Sequence, residues 1–341
     1  MCGGAIADDF DGDGAIDLVV SSWSPIGKIR FFRNNQGGEF TDCSAAAGLT
    51  GITGGLNLVQ ADFDNDGNLD FLVLRGGWLG RAGAQPNSLM RNNGDGTFVD
   101  VTIISGLAMA NYPSQTASWA DYDLDGDLDL YVGNESASDV TAPCQLFNNQ
   151  GDGTFRDVAA TAGVTNDTFT KAVIWGDYNN DGWLDLYVSN LGDANRLYRN
   201  NQDGTFTDQA QSAGVTGPLI SFPAWFWDFN NDGQLDIYVA AYSATLQSIA
   251  GSYLGRDSDQ ELACLYRGDG QGRFEDVARQ AGLTRPSLPM GANFGDLDND
   301  GFLDFYLGTG NPNYAMLTPN IMYRNRNGAS FADVTAAGGF G

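Results

Sequence analysis

The sequence predicts an all-β fold, a β-propeller of six four-stranded blades, on three observations. A nine-residue acidic loop recurs six times, each copy runs directly into a short β-branched or aromatic stretch, and the copies are spaced by about one blade's length. The loops start at Asp9, Asp62, Asp121, Asp177, Asp228 and Asp296. They read DFDGDGAID, DFDNDGNLD, DYDLDGDLD, DYNNDGWLD, DFNNDGQLD and DLDNDGFLD. Successive starts lie 53, 59, 56, 51 and 68 residues apart, which is roughly the 40–50 residues of a propeller repeat plus insertions. Glycine at 46 of 341 residues supplies a high turn density and argues against long helices.

Each unit carries four strand-like pieces. In the fourth unit the first is Ala172-Val173-Ile174-Trp175, ahead of the loop, and the second runs from Leu184 to Val188 after it. The third is Arg196-Leu197-Tyr198-Arg199, and the fourth begins at Phe206-Thr207-Asp208 after the turn Asn200-Asn201-Gln202-Asp203-Gly204. The same turn-then-Phe signature recurs at Asn92 to Phe98 and at Asn148 to Phe155, where Asn-Gly and Asp-Gly supply the positive φ of tight hairpins. The six repeats are expected at about 1–50, 51–108, 109–165, 166–216, 217–284 and 285–341, making residues 1–341 one propeller domain. The chain opens on a first strand near Ile6 and closes on a fourth near Phe331-Ala332-Asp333, so every blade is complete. The tail Ala336-Ala337-Gly338-Gly339 resembles the connector Ala46-Ala47-Gly48-Leu49, so the alternative is part of a seven-bladed or longer array.

The loops point to a metal. Asp occupies positions 1, 5 and 9 of every copy and Asp or Asn position 3, with Gly at position 6. Oxygens at every second residue around a sharp bend form a small cage, and Ca²⁺ takes about 6–8 oxygens. An EF-hand would need a bidentate Glu at position 12 and flanking helices; position 12 here is Val20 in the first loop and Val132 in the third. By analogy with other calcium loops, side chains at 1, 3, 5 and 9 and the carbonyl at 7 are the ligands. The first three loops then offer Asp9, Asp11, Asp13, Ala15 and Asp17; Asp62, Asp64, Asp66, Asn68 and Asp70; and Asp121, Asp123, Asp125, Asp127 and Asp129. The last three offer Asp177, Asn179, Asp181, Trp183 and Asp185; Asp228, Asn230, Asp232, Gln234 and Asp236; and Asp296, Asp298, Asp300, Phe302 and Asp304. An acidic turn without metal is the plain alternative for any one copy, but solvated turns do not need acids at fixed offsets six times over.

Composition narrows the partners. A formal net charge of −26 disfavours nucleic acid and anionic membranes. Of the 43 acidic residues, 22 are Asp at loop positions 1, 3, 5 and 9 and Asp127 makes 23, and six Ca²⁺ would bring the formal charge to about −14. With no His in the chain, the commonest general base, the Ser-His-Asp arrangement and most zinc chemistry are excluded. Cys2, Cys43, Cys144 and Cys264 include no CxxC pair; Cys2 and Cys43 share a repeat and could form a disulfide, with buried free thiols the alternative. No apolar run is long enough to span a bilayer. No signal peptide precedes the first repeat, and low-affinity multi-calcium modules work where calcium is millimolar, so a mature or truncated extracellular or cell-surface form is expected.

Loops of this kind followed by strands such as Leu128-Asp129-Leu130-Tyr131-Val132 resemble tandem FG-GAP/VCBS repeats, found in integrin α-subunits, cartilage acidic protein-like proteins and many bacterial surface proteins. The resemblance covers residues 1–341. It implies a calcium-binding propeller with ligands at positions 1, 3, 5, 7 and 9 and, more loosely, an adhesion role. The Gly-Ala-Pro half of the integrin signature is missing, although Phe294-Gly295-Asp296 echoes the first half, and no counterpart of the extra C-terminal domain of many bacterial relatives is found.

In a four-stranded blade the first-to-second and third-to-fourth connections share one end. The large insertions, Arg75–Asn87, Asn134–Cys144, Ala241–Ala263 and Thr309–Asn320, all join second to third strands and belong to the other end. Long loops on a rigid scaffold are where binding usually resides, so Trp78, Tyr242, Tyr253, Arg256 and Tyr314 are the candidate ligand-binding residues. The partner expected there, opposite the calcium loops, is a protein or a glycan. Trp119, Trp175, Phe226 and Phe294 repeat at one offset before their loops and are expected to be inter-blade core. Arg267-Gly268-Asp269 falls at a hairpin turn and is read as coincidence, while Asn134-Glu135-Ser136 and Asn166-Asp167-Thr168 fit glycosylation acceptors. The functional expectation is a non-enzymatic adhesion or ligand-binding module; the alternatives are a lectin with inter-blade sugar sites and a calcium-dependent polysaccharide-active enzyme.

Overall fold

The computed structural model describes residues 3–311 and 318–336. Six antiparallel sheets of four strands each follow the chain in sequence order, and they are the blades of a β-propeller. The first three blades comprise Ala5–Asp8, Asp17–Val20, Arg30–Asn34 and Phe40–Asp42; Asn57–Ala61, Asp70–Leu74, Ser88–Asn92 and Phe98–Asp100; and Ser114–Ala120, Asp129–Asn134, Gln145–Asn149 and Phe155–Asp157. The last three comprise Thr170–Gly176, Asp185–Asn190, Arg196–Asn200 and Phe206–Asp208; Ser221–Trp227, Asp236–Ala241, Cys264–Gly268 and Phe274–Asp276; and Pro289–Gly295, Asp304–Thr309, Ile321–Asn325 and Phe331–Asp333.

The strand sequences explain their places. Second strands such as Asp70–Leu74 and Asp129–Asn134 are buried at every position, which is why they read as unbroken apolar runs. Fourth strands are short and mostly solvated; in Phe98–Asp100, Phe155–Asp157 and Phe206–Asp208 only the leading Phe is buried.

The chain packs as two compact units, one reaching to Val173 with Gln202–Thr205, the other containing Ile174–Asn201 and the residues from Phe206 on. In the first unit Phe10, Phe31, Phe71 and Phe98 form one core with Leu49 and Leu58, drawn from the first and second blades. Phe63, Leu72, Leu130, Phe147 and Phe155 form another from the second and third. In the second unit Trp225, Trp227, Tyr238, Phe305 and Phe331 join the fifth and sixth blades. Each fully buried side chain of this size contributes about 1.5–3 kcal/mol, and successive blades share that burial. Trp119, Phe226 and Phe294 pack on Phe63, Tyr187 and Trp225 of the preceding blades, as inter-blade contacts, although Phe294 is 39% exposed; Trp175 packs on Phe206 of its own blade.

The Ala-Gly connectors have a structural reason. The amides of Phe98, Phe155 and Phe331 donate to the carbonyls of Ala47, Ser105 and Ala281, tying each connector to the outer strand of the next blade. The glycine that follows, Gly48 at φ 81°, has no room for a side chain: a Cβ would lie 2.9 Å from the Phe98 carbonyl oxygen. A left-handed backbone and a close approach both call for Gly there.

Several local readings need correcting. Asn134 and Asn166 are buried, and their amides are held by Pro143 O and by the hydroxyls of Thr168 and Thr170, so neither can accept a glycan. Cys43, Cys144 and Cys264 are free thiols, so Cys43 is not in a disulfide; Cys2 lies outside the described residues. The insertion after the fifth blade's second strand contains an eight-residue helix, Leu246–Tyr253, that the turn-rich composition did not suggest. The reading of Arg267-Gly268-Asp269 as part of a hairpin turn stands: Arg267 pairs with Glu275, and the Asp269 carboxylate accepts the amides of Gln271 and Arg273.

Candidate metal centres

Each acidic loop joins the first and second strands of its blade, and its backbone is folded by its own carboxylates. The position-1 Asp accepts the amides of positions 5 and 6 in all six loops: Asp9 from Asp13 and Gly14 at 3.1 and 2.8 Å, Asp296 from Asp300 and Gly301 at 3.1 and 3.0 Å. The position-5 carboxylate accepts the amide of position 7, as Asp13 does from Ala15 and Asp181 from Trp183. Position 4 is left-handed throughout, at Gly12, Asn65, Leu124, Asn180, Asn231 and Asn299, and Asn tolerates that conformation well.

The position-9 Asp serves the fold as well as the loop. Asp17, Asp70, Asp129, Asp185, Asp236 and Asp304 are all buried. One oxygen of each accepts an amide of the third strand at 2.7–2.9 Å, from Asn34, Asn92, Asn149, Asn200, Gly268 or Asn325. Burial pushes these carboxyls up, to about 7 for Asp70, Asp185 and Asp236 and about 8 for Asp129, against the amides that lower them.

The donor set fits a hard cation. Carboxylate oxygens of Asp9, Asp11 and Asp13, of Asp62, Asp64 and Asp66, of Asp121, Asp123 and Asp129, and of Asp296, Asp298 and Asp300 each lie within 4.8 Å of one another. Asp64 Oδ1 and Asp123 Oδ1 are buried with no hydrogen-bond partner among the described residues, and both residues stand at position 3 of these clusters. An unmatched buried carboxylate oxygen is costly unless something positive meets it. Desolvation, then the charge of Asp66 or Asp125, pushes both carboxyls up. Position 7 carries Ala15, Asn68, Asp127, Trp183, Gln234 and Phe302, so only its carbonyl could serve in all six loops.

The loops differ in their surroundings. Arg33 reaches Asp11 at 2.5 Å and Asp13 at 3.2 Å, and Arg324 pairs with Asp298 and Asp300. In the third loop the neutral Asn148 amide donates to Asp123 at 2.9 Å. In the fourth and fifth the position-3 amides turn toward carboxylates, Asn179 to Asp185 at 3.3 Å and Asn230 to Asp232 at 2.9 Å. Neighbouring loops are also tied: Asn65 donates to Gly126 O and Asp127, Asn180 to Gln234, and Asn231 to Gly301 O.

Asparagines at the head of the hairpin turns also serve the fold. Asn92, Asn149 and Asn325 end their third strands buried, and each side-chain amide donates to a loop carbonyl of the preceding blade, Phe10 O, Phe63 O and Phe229 O, at 2.8–2.9 Å. The recurring Asn directly before the turn was the available signal. The fifth blade has Gly268 there, where a Cβ would meet the Leu235 carbonyl oxygen at 2.3 Å.

The candidate ligand-binding residues have different environments. Trp78 sits at φ 69°; its amide is held by the Glu135 carboxylate and its ring lies 3.4 Å from the Lys171 ammonium, with Phe169 beyond. Lys171 and Glu135 form a buried ion pair in which burial lowers the lysine and raises the carboxyl. Tyr242 packs on Phe222 and donates to Gly310 O. Both rings are therefore engaged in internal packing and do not stand out as free anchors. Tyr253 and Arg256 line a common cleft; Tyr314 lies outside the described residues.

Acidic hairpin loops repeated on four-stranded blades define a repeat β-propeller. The chain belongs to the FG-GAP-like repeat family, which matches residues 9–73, 78–132, 136–188, 177–239 and 252–307. All six acidic loops fall inside these matches, and each match ends in or next to the second strand of a blade, so the family unit straddles two blades. Human cartilage acidic protein 1 is 26% identical over 349 aligned residues, spanning 95% of this chain and 49% of that protein. The mouse protein of the same name is 25% identical, over 96% of this chain and 51% of its own length. This chain thus spans about half the length of these relatives. Among solved structures, the Vibrio cholerae biofilm matrix protein Bap1 aligns over 80% of this chain and 38% of its own, at 15% identity and a TM-score of 0.42.

Proposed function

We propose that the chain is a non-catalytic, extracellular propeller whose six acidic loops each hold Ca²⁺, and that it serves as an adhesion or ligand-binding module. The observation that carries the calcium reading is the pair of buried, unpartnered oxygens of Asp64 and Asp123 inside loops whose pattern recurs in every blade. The residues that would hold the ion are the side chains at positions 1, 3, 5 and 9 with the position-7 carbonyl. Calcium would supply charge compensation and cross-link each hairpin. Where the ion is in large excess over its dissociation constant, about 100-fold, each site adds about 2.7 kcal/mol to the folded state. Similarity to a protein named for cartilage, together with this reliance on abundant calcium, supports an extracellular setting.

The loops keep nine residues in every blade, whereas the second-to-third connections vary from blade to blade. That supports a protein or glycan partner on the insertion end, with calcium acting at a distance by holding the blades. Among the described residues the acidic clusters lie in the first, second, third and sixth blades and do not form one distinct centre, which supports binding over catalysis. The test pairs melting curves in calcium and EDTA with a glycan and protein array. A large calcium-dependent rise in melting temperature, with array binding lost on trimming Ala241–Ala263 and retained when surface residues beside the acidic loops are replaced, is expected. Equal melting curves would overturn the calcium reading; the opposite array pattern would overturn the assignment of ends.

A further inference from the structure

The insertion of the fifth blade makes a cleft rich in arginine. The helix Leu246–Tyr253 and the loop after it enclose a hollow of about 260 Å³ against the connector to the sixth blade. A second hollow of about 410 Å³ adjoins it, sharing Leu262 and Arg279, so the two form one groove. Three of the chain's 17 basic residues, Arg256, Arg279 and Arg285, line the first hollow although the net charge is −26.

The three arginines are not equivalent. Arg285 pairs with Asp333, and its guanidinium lies 4.2 Å from the centre of the Tyr253 ring, bracing that ring from one side. Tyr253 is nevertheless 62% exposed, so much of the braced ring faces the hollow and solvent. No ion pair or side-chain hydrogen bond to another described residue occupies the guanidinium of Arg256 or Arg279. Of the four carboxylates along the groove, three are committed: Asp333 to Arg285 and Thr335, Glu261 to the amides of Leu219 and Ile220, and Asp276 to the amides of Leu265 and Ala278. Among the described residues Asp257 has no such partner. Two open guanidiniums, a rigid aromatic face and one open carboxylate therefore converge on a polar groove.

We propose that this groove binds an acidic glycan carrying uronate carboxylates. Planar guanidiniums hold a carboxylate through paired hydrogen bonds, which Arg256 and Arg279 are free to make. The open face of Tyr253 is a platform for the apolar face of a sugar ring. Ser258, Thr284 and the Asp257 carboxylate suit sugar hydroxyls, which a peptide of glutamates does not offer. The second hollow gives room for the polymer to continue past Arg279. This assignment rests on the reading that partners bind at the insertion end.

The test measures calcium-loaded full chain by calorimetry against tetragalacturonate, neutral maltotetraose, a carboxylate-free sulfated carrageenan tetrasaccharide and a tetraglutamate peptide. Tetragalacturonate should bind more tightly than the other three. Arg256→Ala with Arg279→Ala should weaken it by about tenfold or more at unchanged melting temperature. Tyr253→Ala should weaken it as well, and the double lysine variant should recover only part of the affinity. Equal binding of tetraglutamate, preference for the sulfated sugar, or full affinity in the double alanine variant overturns the proposal. If trimming Ala241–Ala263 abolishes tetragalacturonate binding while the double alanine variant retains it, the groove chemistry fails but the binding end stands. If neither change affects it, both fail.

Discussion

Replacing Asn92 by alanine should destabilise the chain far more than the same change one residue on. The Asn92 side-chain amide donates to Phe10 O at 2.8 Å in the preceding blade and to Leu69 O at 3.0 Å in its own, and its oxygen accepts the Gly94 amide at 3.0 Å. The residue is 1% exposed, so the buried Phe10 carbonyl and the part-buried Leu69 carbonyl would both lose their donor. Each buried polar group left without a partner costs about 1–3 kcal/mol, which gives roughly 2–6 kcal/mol for the pair; the partly exposed Gly94 amide can be rehydrated. Asn93 provides the control, since its amide reaches only Thr97 Oγ1 on the exposed hairpin, and its loss should cost less than about 1 kcal/mol. Asn92→Asp should be at least as damaging as alanine, because it sets a carboxylate against two carbonyls. The assay is equilibrium urea denaturation of the calcium-loaded protein followed by tryptophan fluorescence, with the slopes compared so that a stability change is separated from a change in the unfolded state. Coincident curves for Asn92→Ala and Asn93→Ala would refute the inter-blade staple.

Three further outcomes follow from the same geometry. Asp181→Ala should lower the melting temperature in calcium and change it little in EDTA, since only the loaded loop needs that ligand; equal losses in both would make Asp181 an ordinary turn residue. The fourth and fifth loops, with Asn179 and Asn230 at position 3, should release their ions first, so stepwise chelation followed by native mass spectrometry should pass through a four-ion species, and an all-at-once loss would contradict it. Lys171→Met should cost about 3–5 kcal/mol by leaving Glu135 charged and buried, and adding Glu135→Gln should recover part of that; a single-variant loss under about 1 kcal/mol in thermal denaturation would show that the pair is not compensating.

Much of the blade architecture was legible because it is written six times. The strands expected in the fourth unit at Ala172–Trp175 and Arg196–Arg199 lie within the observed Thr170–Gly176 and Arg196–Asn200, and the loops sit between first and second strands throughout. What escaped depends on neighbours distant in sequence. The buried staples Asn92, Asn149 and Asn325 look like turn residues until the preceding blade supplies the carbonyls they meet. The Lys171–Glu135 pair spans 36 residues and has no local signature. Asn134 and Asn166 satisfy a glycosylation pattern whose outcome is decided by tertiary burial. Trp78 and Tyr242 were legible as insertion aromatics, but only the structure shows one covering Lys171 and the other tied to Gly310. The helix Leu246–Tyr253 carried a faint signal in Thr245 and Ser248, which form its capping box.

The most direct test of the account is a crystal structure of this chain grown in millimolar calcium, with anomalous scattering used to locate the ions. Six anomalous peaks are predicted, one in each loop starting at Asp9, Asp62, Asp121, Asp177, Asp228 and Asp296. Each should be ringed by at least about six oxygens at roughly 2.3–2.6 Å, including Asp64 Oδ1 in the second loop and Asp123 Oδ1 in the third. Loops without peaks under those conditions, with Asp64 and Asp123 hydrogen-bonded to water in place of an ion, would contradict it.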